Sequence, residues 1–208
     1  MSVLEAALRG HRVVIEVPRS GVSDWVALGE LLLQEGLGAW AVPVEQFHLV
    51  PEMLSLFGFR ARLGACGVTD ADGVRLAVGA GVHFVLSPVS SPDLVEAAGD
   101  VPFLGGALTP TEVARAVAAG ADGVLVHPAD ALGSAYGRTL PPLFPGVDVV
   151  PWGRLERYQA EMWLDAGAAA VVVSDVVLRA EDGSGVNAAD EVGRRAASFA
   201  TLRGGAKT

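Results

Sequence analysis

The sequence predicts an α/β protein, a single-domain (β/α)8 barrel in which eight parallel strands alternate with helices. Three observations predict this fold. Eight short apolar runs alternate with eight helical stretches along the 208 residues, and such alternation implies a parallel sheet. The apolar runs contain few polar residues, as is typical of strands that are buried on both faces. Four segments also follow one plan, which indicates that one strand–helix unit recurs.

The boundaries of these elements follow from the apolar runs and from the turn residues between them. Strands are predicted at 13–17, 39–44, 61–68, 82–88, 102–106, 123–128, 147–152 and 169–175. Helices are predicted at 24–34, 51–58, 71–79, 92–99, 110–120, 157–167 and 187–202, with a weak helical segment near 130–144. We expect the barrel to span residues 1–204 and a flexible tail to follow at 205–208.

The repeated plan links the end of a helix to the next strand. It occurs at 35–43, 80–88, 119–128 and 166–175. In each copy a glycine ends the helix, because the residue that follows a helix commonly adopts a left-handed conformation. These glycines are Gly36, Gly81, Gly120 and Gly167. Helix starts are marked by the capping sequences Ser23-Asp24, Ser91-Pro92-Asp93 and Thr109-Pro110-Thr111-Glu112.

A doubly wound open sheet is the alternative arrangement of the same elements. The first predicted strand is followed by VPRSGVSDW. This stretch lacks the Gly-rich loop that binds a dinucleotide at that place in such a sheet. The eight units therefore favour the barrel, which is also called a TIM barrel.

Composition and charge exclude several classes of function. The chain carries 24 acidic and 15 basic residues, and its net charge of -9 disfavours binding to nucleic acid or to an anionic membrane surface. No apolar run reaches the roughly 18 residues that a membrane-spanning helix needs. Cys66 is the only cysteine, so no internal disulfide can form, and we expect a cytoplasmic protein.

Lysine is almost absent from the chain. The 15 basic residues comprise arginines and a single lysine, Lys207, which stands next to the C-terminal residue. A side chain that forms a Schiff base with a carbonyl substrate must be a lysine amine. Arginine cannot replace it, because its guanidinium group stays protonated.

Functional side chains of a (β/α)8 barrel are expected at the C-terminal ends of its strands. The candidates for ligand binding there are Arg19, Glu45, His127, Trp152 and Ser174. Arg19 is either a bidentate carboxylate-binding residue or a solvated surface arginine. Glu45 is either a general base or a cap of the following helix. Trp152 either stacks on a ligand or fills the mouth of the barrel.

His127 ends the sixth predicted strand, two residues after Leu125. Because side chains alternate along a strand, the two residues face the same way, and His127 is expected above Leu125 at the mouth. It is either a ligand-binding residue or a strand-end histidine whose ring forms its hydrogen bonds with other residues of the protein. The histidines show no spacing such as H-x-H or H-E-x-x-H, so no metal and no cofactor are predicted. Cys66 is expected to be a packed thiol.

Three consecutive stretches resemble the KDPG/KHG aldolase family, the 2-keto-3-deoxy-6-phosphogluconate and 4-hydroxy-2-oxoglutarate aldolases. They are LGACGVTDADGVRLAVGAGVHFVLSPVSSPDLVEAA at 63–98, PFLGGALTPTEVARAVAAGAD at 102–122 and GVLVHPAD at 123–130. The first is similar to the family's GAGTV and SPG segments, and the third to its segment K-x-F-P-A-E. The resemblance covers residues 10–178 and implies a TIM barrel, class I aldolase chemistry and a trimer.

The resemblance also implies where the family's catalytic residues would lie, and the chain departs from the family there. The Schiff-base lysine falls on Leu125, and the proton-transfer glutamate falls on Ala41. The arginine four residues after that glutamate falls on Glu45. The other departures are Gly67 for the threonine of GAGTV, Val89 for the glycine of SPG, 151–155 for the phosphate loop and Val172 and Val173 for a second glycine pair.

We therefore interpret the chain as a degenerate family member that lacks Schiff-base lyase activity and acts as a pseudoenzyme or small-molecule binder. The ligand that the resemblance implies is similar to a 2-oxo acid. Two alternatives remain open: an enzyme with different chemistry at the mouth that uses Glu45, His127 or Arg19, and a true lyase, which the missing amine disfavours. The resemblance implies a homotrimer. The apolar residues expected to be exposed for its interface are Met53, Leu54, Leu56 and Phe57.

Overall fold

The computed structural model describes residues 2–18, 25–179 and 188–202, and it confirms the (β/α)8 barrel. Eight parallel strands pair in chain order, and the first pairs with the eighth to close the barrel. The strands are β1 (Val13–Glu16), β2 (Ala39–Pro43), β3 (Arg62–Cys66), β4 (Phe84–Ser87), β5 (Phe103–Gly106), β6 (Gly123–Val126), β7 (Asp148–Gly153) and β8 (Val171–Val173). Each lies within one residue of a predicted run or inside it.

The helices lie between the strands, as the sequence predicts. They are α1 (Val3–Leu8), α2 (Trp25–Gln34), α3 (Val50–Phe57), α4 (Ala71–Gly79), α5 (Pro92–Ala98), α6 (Pro110–Ala118), α7 (Ser134–Gly137), α8 (Leu140–Leu143), α9 (Arg157–Asp165) and α10 (Ala188–Ala200). The weak segment near 130–144 forms the two short helices α7 and α8. Two 3₁₀ helices follow β2 and β6, at Val44–Leu49 and Ala129–Ala131.

The ends of the helices follow the predicted turn chemistry in part, since Ser91 is the N-cap residue of α5 but its side chain makes no capping hydrogen bond. The four repeated glycines all have a positive φ, between 82° and 101°. At the start of α6, the Thr109 side chain accepts a hydrogen bond from the Glu112 amide, and the Glu112 carboxylate accepts one from the Thr109 amide. The predicted cap at Ser23-Asp24 and the predicted tail at 205–208 lie outside the described residues.

Alternation along the strands separates the core into two parts. One set of side chains points into the barrel, and the other packs between the sheet and the helices. The buried side chains of the interior cluster are Leu4, Leu8, Val14, Ala39, Ala41, Cys66, Phe84, Leu86, Leu104, Leu125, Val150, Trp152, Ala170 and Val172. The first two belong to α1, which precedes the eight predicted units and packs into the interior.

The prediction of an exposed apolar surface on α3 is wrong for two of its four residues. Met53 and Phe57 are each only 2% exposed. With Val50, they form the face of the helix that packs inward, since residues three and four apart lie on one side of a helix. The Phe57 ring packs edge-on against Trp40, with 5.2 Å between ring centroids. Leu54 is half-buried and Leu56 is exposed.

Within the described ranges, no helix is both long enough and apolar enough to cross a bilayer.

Close packing inside the barrel gives a first prediction. A Cβ at Gly64 on β3 would overlap the Phe84 ring of the neighbouring strand, so Gly64→Ala is expected to lower the free energy of unfolding by about 1–3 kcal/mol. Gly79→Ala on α4 is the matched control, because a Cβ there meets no atom within 4 Å. It is expected to leave stability unchanged or to raise it by up to about 1 kcal/mol. Urea unfolding of both variants tests this, and equal losses would contradict it.

Candidate functional site

The strand ends at the mouth hold apolar side chains where the family resemblance places catalytic ones. Leu125 on β6 is fully buried in the interior cluster, between Gly106 on β5 and Val150 on β7 in the strand register. Ala41 on β2 is also fully buried there. Neither side chain carries a group that can accept, donate or share a proton.

A buried carboxylate lies beside Ala41. Glu16, the last residue of β1, is paired with Ala41 in the register and is only 9% exposed. The Trp152 Nε1–H donates a hydrogen bond of 2.7 Å to Glu16 Oε2 and lies 2.9 Å from Ser174 Oγ. The Ser174 hydroxyl donates to the same carboxylate oxygen. These bonds hold together the ends of β1, β7 and β8.

Glu16 is not among the predicted site residues. It lies in the predicted apolar run VVIEV and is the only charged residue in that run. Alternation from Val14, which points into the barrel, gives Glu16 the same facing. A charged residue at an inward position next to a strand end is the signal that could have found it.

His127 joins this group through Trp152. Its ring stacks on the indole at a centroid distance of 4.1 Å and an angle of 25°. Its Nδ1 lies 3.1 Å from the Trp152 carbonyl oxygen. A carbonyl oxygen only accepts, so Nδ1 carries the proton, and Nε2 of the neutral ring is left as a hydrogen-bond acceptor.

The structure therefore brings three of the five predicted site residues together: Trp152, Ser174 and His127. Trp152 is only 3% exposed, and its indole belongs to the interior cluster. Glu45 is exposed in the 3₁₀ helix Val44–Leu49 that follows β2. Arg19 lies outside the described residues. The lone cysteine, Cys66, is buried.

The resemblance matches 151–155, together with Val172 and Val173, to the family's phosphate-binding segments, and Arg154 in the first of these is exposed. Val172 and Val173 are buried, with side chains where a glycine would leave the backbone open. Asp175 is exposed, with a φ of 55°, and adds a negative charge. In the part of the chain that the structure describes, no three His, Cys, Asp or Glu side chains converge as a metal site would require.

The closed barrel of eight parallel strands with intervening helices defines a (β/α)8-barrel protein, a class in which functional sites lie at the C-terminal ends of the strands. The family model described as KDPG and KHG aldolase matches residues 5–190. The chain belongs to this aldolase family.

Solved structures support the same fold. A 4-hydroxy-2-oxoglutarate/2-dehydro-3-deoxyphosphogluconate aldolase is 25% identical, with a TM-score of 0.83 over 97% of this chain and 98% of that one. The 2-keto-3-deoxy-6-phosphogluconate aldolase of Zymomonas mobilis, solved with 3-phosphoglycerate, is 20% identical, with a TM-score of 0.82 over 99% and 98%. The KDPG aldolase of Legionella pneumophila, with pyruvate captured as a covalent carbinolamine, is 19% identical, with a TM-score of 0.75 over 95% of each chain. No curated protein matches the sequence.

The hydrogen bonds to Glu16 give a second prediction. Trp152→Phe removes an N–H donor from a buried carboxylate and is expected to lower the free energy of unfolding by about 1–3 kcal/mol. Glu16→Gln removes the charge that needed this donor. The double variant Trp152→Phe/Glu16→Gln should therefore lose less free energy of unfolding than the sum of the losses of the two single variants. Urea unfolding measures all of these energies.

Trp163→Phe is the matched control for this cycle, because Trp163 is equally buried but packs in the outer core. Its effect should simply add to that of Glu16→Gln. Additive losses for Trp152 and Glu16 would show that the indole does not stabilise the carboxylate.

Proposed function

We propose that this member of the aldolase family has no Schiff-base lyase activity and acts as a small-molecule binder, a pseudoenzyme on an aldolase scaffold. One observation supports the proposal: Leu125, the residue on which the family resemblance places the Schiff-base lysine, is fully buried. A leucine has no nucleophilic atom, and its side chain is surrounded by the other apolar residues of the interior cluster.

No other residue of the described barrel supplies the missing amine. The only lysine, Lys207, lies near the C-terminus, beyond the described residues. The arginines stay protonated and cannot attack a carbonyl. Ala41, on which the resemblance places the proton-transfer glutamate, has no carboxylate, and the carboxylate of Glu16 on β1 is engaged by Trp152 and Ser174.

A second candidate is an enzyme with different chemistry at the same mouth. The observation that favours it is the geometry of His127, whose Nδ1 is held by a carbonyl oxygen so that Nε2 is free to act as a base. Of the side chains proposed for this chemistry, His127 has the strongest support, because Glu45 is exposed on a different element. This second candidate requires a small molecule to reach His127.

The loss of Schiff-base chemistry gives a third prediction. Incubation with pyruvate and borohydride should leave the intact mass of the protein unchanged, because borohydride fixes pyruvate only where an amine has formed an imine. The KDPG aldolase of Legionella pneumophila, which captured pyruvate covalently, is the positive control for the same reagents. A stable adduct mapped to a residue within 10–178 would overturn the proposal.

We also propose that the protein is a cytoplasmic homotrimer. The single cysteine supports a reducing compartment. Exposed apolar side chains at the end of α3 support association: Phe59 is 95% exposed and Leu56 is 44% exposed. A related chain occurs in a cage designed by fusing symmetric oligomeric domains, which supports oligomerisation within this fold. Cyclic closure is a common way to bury such a surface.

Light scattering at micromolar concentration tests the assembly, which is the fourth prediction. The expected mass is about three times the chain mass of 21.4 kDa. Phe59→Ser should shift the population toward monomer, because it removes an exposed ring from the interface. Tyr158→Ser on α9 is the control, since Tyr158 is also exposed but lies on a different helix. A monomeric wild type would refute the trimer.

A further inference from the structure

A cavity of about 370 Å³ lies beside the mouth of the barrel, where β4, β5 and β6 end and α6 begins. Its polar side chains are Ser90, Glu112, Arg115 and His127. A volume of this size suits a small organic ligand. The cavity is separate from the position of Leu125, whose side chain is fully buried inside the barrel.

Two glycines at the end of β5 allow the segment after β4, which forms one wall of this cavity, to approach closely. A Cβ at Gly106 would overlap the Pro88 carbonyl, and a Cβ at Gly105 would lie 2.5 Å from Ser90 Oγ. The segment after β4 can therefore pack directly on the end of β5. The Ser90 hydroxyl is buried by this packing and has no hydrogen-bond partner among the described residues. A buried hydroxyl without a partner is costly, and rotation about its single side-chain torsion can turn it to a ligand in the cavity.

The charged side chains of the cavity have different roles. Glu112 Oε2 accepts hydrogen bonds from the Leu108 and Thr109 amides and from Thr109 Oγ1, which lower the pKa of this carboxyl and commit it to the start of α6. Arg115 lies one turn later. Within the described ranges it makes no hydrogen bond or ion pair, and its charge acts on Glu112 only at longer range. The Arg115 guanidinium is therefore available to a carboxylate.

His127 supplies the complementary group. Since its Nδ1–H points to the Trp152 carbonyl, the nitrogen left for a ligand in the cavity is Nε2, which accepts a hydrogen bond in the neutral ring. A hydroxyl can donate to this nitrogen, whereas a keto oxygen cannot. The cavity thus combines a cationic donor for a carboxylate with a neutral acceptor for a hydroxyl.

We propose that this cavity binds a small hydroxy-carboxylate, with its carboxylate on Arg115, its hydroxyl donating to His127 Nε2 and the Ser90 hydroxyl completing the contacts. The inference rests on the proposed function as a small-molecule binder and names the ligand class. It places the ligand beside the barrel axis, and it favours a hydroxy acid over the corresponding 2-oxo acid.

Three ligands of equal length test this choice, because lactate, pyruvate and propionate differ only at the carbon next to the carboxylate. In a heteronuclear NMR titration, lactate should shift the signals of His127 and the start of α6. Its dissociation constant should be about tenfold lower than those of pyruvate and propionate. Equal affinities for the three acids, or no saturable shift at tens of millimolar, would overturn the proposal.

Variants assign the contacts. Arg115→Gln should weaken lactate binding about tenfold, while Arg75→Gln is the matched control, because Arg75 pairs with Asp72 at the same helical spacing on α4. His127→Phe keeps an aromatic ring against Trp152 but removes the acceptor, so lactate and propionate should then bind equally. If Arg115→Gln and Arg75→Gln bind lactate alike, the assignment of the carboxylate is wrong.

The wild-type titration keeps the test decisive even if His127→Phe fails to fold. The outcome is also separable from that of the borohydride experiment. Lack of lactate binding without a pyruvate adduct removes the cavity proposal alone. A pyruvate adduct removes the proposed function, whatever lactate does.

Discussion

The mouth of this barrel depends on the burial of one carboxylate in an otherwise apolar interior. A buried charge is expensive unless strong donors compensate it. Glu16 receives two such donors, the Trp152 indole N–H and the Ser174 hydroxyl, and both are neutral. The indole must therefore lie inside the barrel, and the His127 ring then stacks on it. One carboxylate thus fixes the ends of three strands and the orientation of the histidine on a fourth.

Much of the fold could be predicted from the sequence, because the signals for it are local. Apolar runs gave all eight strands, and a glycine at the end of a helix requires no distant partner to adopt a positive φ. The burial of α3 depends on how the helix is rotated against the sheet. Met53 and Phe57 were expected at the surface, yet with Val50 they share the face that turns inward. The 3.6-residue period of a helix places Met53 and Phe57 on one face and Leu56 on another, so this period predicts that, of these three residues, only Leu56 is exposed.

The candidate site could be predicted only in part, for a related reason. Position at a strand end identified Trp152, Ser174 and His127, but the same criterion also selected Glu45, which is exposed. The bond that organises the site joins Glu16 to an indole 136 residues away in the chain. No local pattern indicates such a pair, because it arises only when β1 and β8 close the barrel and bring β7 near. Glu16 itself was visible as an inward-facing charge, whereas its donors were not.

Because neutral donors stabilise the Glu16 carboxylate, they also influence where an anionic ligand can bind. A lysine at position 125 would add a cation to the interior, but the carboxylate already has its donors and the interior contains no unmatched charge that requires one. An anionic ligand on the barrel axis would meet Glu16 and a wall of apolar side chains. Arg115 lies to the side on α6, lines the cavity and makes no hydrogen bond within the described ranges. The place that we propose for a carboxylate therefore lies off the barrel axis, in the cavity beside α6, where Arg115 supplies a cation and the interior carboxylate of Glu16 is not part of the lining.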